Sequence, residues 1–165
     1  MNLARVLHHL CVPDWVARRP FTAAAMDRIE AAVRKSETLH GAELRVALEA
    51  GLHPAALLRG LTPRGRAIEA FSELRVWDTE HNSGVLLYLQ LVDRSIEIVA
   101  DRGINARVQQ RQWQDICRRM ENAFSQGRFE QGLLEAIDEI TGLLARHFPP
   151  LRGKPDELED RPVLL

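Results

Sequence analysis

The sequence predicts a small α/β domain on a mixed sheet, two parallel strands plus an antiparallel hairpin partner, and three stretches carry that prediction. Residues 42–49 alternate polar with apolar, the period of a strand buried on its Leu44, Val46 and Leu48 face. Val85 to Leu91 is nearly all apolar, as expected of a central strand covered on both faces. Across the short connection Val92-Asp93-Arg94, the alternation of Ser95-Ile96-Glu97-Ile98-Val99 marks a hairpin return.

The remaining elements follow in order. Leu3, Val6, Leu7 and Leu10 repeat at helical spacing, so residues 1–20 read as a retained amphipathic arm. Thr22 is the expected cap of a helix carrying Met26, Ile29 and Val33. Gly51, Pro54 and Gly60 among leucines make residues 50–61 an irregular or partly helical connection. Thr62-Pro63 opens a helix with Ile68, Phe71 and Leu74, proline standing where its missing N–H costs least. This crossover is long enough to make the first two strands parallel. After Asp101-Arg102-Gly103, Asn105 is the expected cap of a long helix with the stripe Trp113, Ile116, Cys117, Met120 and Phe124, stopped by Gly127. A last helix carries Phe129, Leu133, Ile137, Ile140 and Leu144. Residues 21–148 therefore form the domain, and residues 149–165, with four acids and four prolines, read as a charged tail.

Composition narrows the function classes. The 165 residues carry net charge −1 with 45% hydrophobic and 27% charged residues, a balance that gives no support to nucleic-acid binding. No apolar run approaches a membrane span, and Arg5, His8 and His9 interrupt the core that a signal peptide would need. Residues 1–13 contain Arg and His but no acid, which makes weak peripheral membrane contact through residues 1–19 an expectation beside packing on the body of the protein. Cys11 and Cys117 form neither a CxxC pair nor a disulfide framework, and a reducing, cytoplasmic setting is the simplest fit.

Several motifs recur in a set order: Ala42-Glu43-Leu44-Arg45-Val46, Asn82, Gly84-Val85-Leu86-Leu87, the Asp93-Arg94 turn, Ile96-Glu97-Ile98-Val99, Phe124-Ser125-Gln126-Gly127-Arg128-Phe129 and Gly132-Leu133. Together they resemble the TPM domain family, which includes thylakoid lumen phosphatases, photosystem repair proteins and many bacterial proteins, and the resemblance spans about three quarters of the chain. Arg75-Val76-Trp77-Asp78-Thr79 and His147-Phe148-Pro149 are similar to a cytosolic bacterial branch. The resemblance implies a three-layer α/β/α sandwich, and phosphatase activity is attached to some members. Where members commonly read Gly-Tyr-Gly after the third strand, this chain has Asp101-Arg102-Gly103. Fold transfers more safely than function.

Strand directions sort the polar residues into two groups. One sheet edge gathers Glu43, the Asp78-Thr79-Glu80-His81-Asn82 loop and Asp101-Arg102; the other gathers Glu49, residues 51–61 and Asp93-Arg94. Ligands of open α/β sheets favour the second edge, at the carboxyl ends of the parallel strands. Residue chemistry favours the first. Glu43, Asp78, Glu80, Asn82 and Asp101 offer hard oxygen donors for Ca²⁺ or Mg²⁺ if they converge, though not with EF-hand spacing. Asp78, Asp101 and Arg102 are the catalytic candidates, a carboxylate orienting water and the arginine holding phosphate. The plainer alternative is that Asp78 and Asn82 bond their own turn. Trp77 is expected to pack beneath the loop. Without a nucleophile motif or P-loop, the leading expectation is a non-catalytic interaction or regulatory module with a protein partner; a metal-dependent phosphatase of broad substrate range is the alternative.

Overall fold

The structure, a computed structural model, describes residues 3–151, 153 and 155–165, and side chains from residue 5 onward. Met1, Asn2 and the Leu3 side chain, parts of the expected amphipathic arm, lie outside the described residues.

The chain runs α1 (Leu3–Cys11), α2 (Asp14–Arg18), α3 (Ala23–Glu37), β1 (Glu43–Glu49), α4 (Pro54–Leu58), α5 (Pro63–Glu73), β2 (Gly84–Gln90), β3 (Ser95–Ala100), α6 (Arg102–Asn105), α7 (Gln110–Ser125), α8 (Phe129–His147) and β4 (Val163–Leu164). The strand order is β3-β2-β1-β4. β1 runs parallel to β2 and β4, and β2 pairs antiparallel with β3. Helices α3, α7 and α8 cover one face, where Leu44, Val46, Leu48, Val85, Leu87 and Leu89 meet Ile29, Val33, Trp113, Leu133 and Ile137. Helix α5 covers the other, with Ala67 and Ala70 against Ala47, Leu86, Tyr88 and Val99. The result is the expected sandwich, and β2 is buried along its whole length as its apolar run requires.

Local signals place most boundaries. Thr22 and Thr62 accept hydrogen bonds from the Ala25 and Gly65 amides, capping α3 and α5, with Pro63 opening α5. Gly84 begins β2 because a Cβ there would lie 1.8 Å from the Val76 carbonyl oxygen.

The structure corrects four expectations. Asn105 does not cap the long helix: Asp101 caps the short α6, the Asn105 side chain donates to the Ala100 carbonyl, and α7 starts at Gln110 after Gln109. Ile68 is 49% exposed, because the small Ala67 and Ala70 make the contact face of α5 and let it approach the sheet closely. Trp77 is half exposed rather than packed beneath the loop. The segment read as a tail returns to the sheet, where Val163 and Leu164 pair with Ala47 and Leu48.

That last correction explains β1. Its alternation predicted one solvated face, yet all seven residues are buried. Glu43 Oε2 accepts the Glu157 and Leu158 amides at 3.3 and 3.2 Å. Arg45 donates to the Glu159 and Arg161 carbonyls and pairs with the Glu159 carboxylate at 2.8 Å. Glu49 takes Arg66 at 2.9 Å and the Tyr88 hydroxyl. The polar half of the strand is a row of tertiary anchors.

Candidate functional site

The residues singled out on the first sheet edge do not converge into one ligand set. Glu43 is buried under the returning chain. Asp78 and Glu80 are exposed on the loop, and the Glu80 amide donates to the Glu157 carboxylate at 2.8 Å. Asn82 sits at φ +51°, a left-handed position that asparagine tolerates, with its Oδ1 accepting Arg102 Nε at 3.0 Å and its carbonyl accepting the Gly103 amide. Asp101 Oδ1 caps α6 by accepting the Arg102 amide at 2.6 Å. Asn82, Asp101 and Arg102 thus meet, and the contacts that join them fix the loop against the end of β3.

A different acidic group forms a few residues away. Among the described residues, Glu37, Asp156 and Asp160 offer one oxygen each within 4.8 Å of one another. They line a cleft of about 300 Å³ together with Glu43, Arg34 and His40. Glu37 and Asp160 are positioned by hydrogen bonds. Glu37 Oε1, at the end of α3, accepts the Leu44 amide at 2.7 Å; Asp160 Oδ2 accepts Arg34 Nε at 3.1 Å; Asp160 is 7% exposed and its Oδ1 has no hydrogen-bond partner among the described residues. Oxygen donors of this kind suit Ca²⁺ or Mg²⁺. The sequence signal was the cluster of acids after Pro155, but nothing local placed it beside Glu37.

The second edge is sealed by the N-terminal arm. Arg5 grips Asp93 through Nε at 3.0 Å and Nη2 at 2.6 Å, and His9 Nε2 lies 3.0 Å from Asp93 Oδ1. The Leu52 amide donates to His9 Nδ1, so this network assigns the proton to Nε2. Burial pulls the Asp93 carboxyl up, but hydrogen bonds from Arg5 and His9 hold it below its ordinary value. Gln90 completes the seal, donating to the Ala50 carbonyl and accepting the Asp93 amide. A mostly apolar cleft of about 240 Å³ remains between the arm and the β2–β3 hairpin, lined by Val12, Val16, Leu89 and Phe124 among others.

Two further groups are passive. Burial, then the nearby Glu97 and Glu121, push the Cys117 thiol up to about 12, far from the thiolate that nucleophilic chemistry needs. Burial and the Glu49 hydrogen bond likewise raise the Tyr88 phenol, so it stays a donor.

Residues 19–143 match the TPM domain family model. The fold is similar to the NMR structure of the BA42 protein from the psychrophilic bacterium Bizionia argentinensis: 30% identity, TM-score 0.77, covering 87% of this chain and 94% of that one. A comparison with curated protein sequences finds no significant match. The matched residues run from just before α3 into α8, and with the family match over most of the chain and the BA42 likeness, the chain belongs to the TPM domain family.

Proposed function

We propose that this protein is a non-catalytic interaction or regulatory module of the cytoplasm. The observation that carries the reading is that the candidate residues of the polar sheet edge do not gather into one ligand set, and three of them are bonded within the protein. Glu43 holds two amides of the returning chain, Asp101 caps α6, and Asn82 is bonded to Arg102 and Gly103. Asp101 keeps a buried Oδ2 with no hydrogen-bond partner among the described residues, but the carboxylate oxygens that hold amides support the loop and are poorly disposed to orient water or a phosphoryl group. Two unpaired thiols agree with a reducing compartment.

A metal-dependent phosphatase is the second reading, favoured by Glu37, Asp156 and Asp160 and by the buried, unpaired Asp160 Oδ1. A divalent ion held there would polarise a phosphoryl oxygen, and Arg34 stands beside the same carboxylate. These acids fall mostly outside the family match, since Asp156 and Asp160 follow residue 143.

A chromogenic phosphate ester assayed with and without Mg²⁺ or Ca²⁺ separates the two readings, with Asp78→Asn, Asp101→Asn and Asp160→Asn run in parallel. The module reading expects turnover equal to the blank, or turnover that none of the substitutions alters, the mark of a contaminant. Metal-dependent turnover abolished by Asp160→Asn or Asp101→Asn would establish the phosphatase instead.

A further inference from the structure

The N-terminal arm buries only part of its apolar surface. Val6 packs with Leu52 and Leu57, joining α1 to α4, and Arg5 and His9 face the Asp93 turn. Leu7 and Leu10, three residues apart and therefore on one side of α1, point away at 54% and 61% exposed. The exposed Cys11, four residues after Leu7, shares that side. Trp15 at 71% and Val16 continue the surface on α2, and Leu58 adds a further exposed leucine on α4. These five are half of the large hydrophobic side chains that the described residues leave exposed.

Charge on this face is the reverse of the molecule's. The two stretches that build it, residues 5–20 and 50–62, contain Arg5, Arg18, Arg19 and Arg59 against the single acid Asp14, in a chain of net charge −1. Arg5 is taken by Asp93 and Arg18 donates to the Leu165 carbonyl, which leaves Arg19, Arg59 and His53 exposed on the same segments as the apolar residues, against the one exposed acid Asp14. Exposed leucines and a tryptophan rimmed by arginine match the two halves of an anionic bilayer surface, an acyl boundary and a layer of phosphates.

We propose that the α1–α2–α4 face docks reversibly on an anionic lipid surface. The inference rests on the interaction-module reading and names what that module touches. Insertion is shallow, because α1 has nine residues and α2 five, so binding is weak and sensitive to salt. Trp15 enters the headgroup layer while Trp113 stays in the core.

The test is flotation of the full chain with phosphatidylcholine vesicles, with and without phosphatidylglycerol, and with Trp fluorescence read in parallel. Expected are flotation with the anionic vesicles alone, loss in high salt, and a blue shift that disappears in Trp15→Phe. Leu10→Ser should weaken partitioning about tenfold, the worth of one buried leucine. Arg19→Glu and Arg59→Glu should each weaken it by about fivefold or more. All four side chains are exposed, and unchanged thermal unfolding of the variants will show that the fold is kept. The absence of flotation, flotation equal on neutral vesicles, or flotation unaltered by these substitutions would overturn the inference. So would a dimer in sedimentation that Leu10→Ser dissolves, since a second copy would then occupy the face. None of these results bears on phosphate ester turnover, so failure here leaves the module reading to its own assay.

Discussion

At the scale of single residues, the polar side chains of this protein act mainly as fasteners. Asp93 is the clearest case, a hairpin-turn acid that pins the N-terminal arm through Arg5 and His9. Its folded-state pKa is depressed, so its contribution is fully present above the ordinary carboxyl value of 3.8 and is lost as pH falls through the lower folded value. Asp93→Asn should therefore cost about 2 kcal/mol at neutral pH, the worth of charge-assisted hydrogen bonds. Urea unfolding across a pH series should find that difference shrinking toward zero in acid; a constant gap would mean that the charge is not what matters. Gly84 makes the complementary point about space. The Val76 carbonyl lies where a Cβ would go, so Gly84→Ala must move backbone and should destabilise by about 3 kcal/mol or more. A thermal melt unchanged by that substitution would contradict the close approach of the two segments.

Among elements, the contrast between β2 and β1 is informative. β2 is apolar from Val85 to Leu89 apart from the Tyr88 hydroxyl because helices cover both its faces, and its sequence says so directly. β1 is buried just as fully with Glu43, Arg45 and Glu49 in place, since each meets backbone or an opposite charge. Burial makes these contacts count more than the exposed ion pairs that also hold the chain end, such as Arg161 with Asp27 and Glu30. Truncation before Glu157 would remove β4 and every partner of Glu43 and Arg45 described above. It is expected to lower stability by about 3 kcal/mol and the melting temperature by roughly 10 °C. Calorimetry of the truncated chain checks this, and an unshifted transition would mean that the returning segment adds nothing to the fold. The division of α6 from α7 is also an element-level outcome. Asp101, placed by the end of β3, offers a better cap than Asn105, and the helix therefore starts, breaks and restarts at Gln110.

On the scale of the whole molecule, both ends of the sheet are closed by chain from outside its centre. The returning segment covers the edge at Glu43, and the N-terminal helices cover the carboxyl ends of β1 and β2. Arg18 joins the two closures by donating to the Leu165 carbonyl. This arrangement leaves the Glu37, Asp156 and Asp160 cleft on one side and the apolar, arginine-rimmed face of α1, α2 and α4 on the other. How much of this was legible depended on range. Periodicity located the three main strands and the helices packed on them, because burial on one face imposes a local repeat on Leu44-Val46-Leu48 or on Trp113-Ile116-Met120, and the lengths of the connections gave the strand directions. Threonine caps and the proline at the start of α5 were legible for the same reason: their chemistry reaches no further than a turn. Tertiary structure alone decided that Glu43 meets the amides of Glu157 and Leu158, and that Asp156 and Asp160 come beside Glu37. Charged side chains carry no period, and a carboxylate bonded to backbone more than a hundred residues away has the same local sequence as one in water.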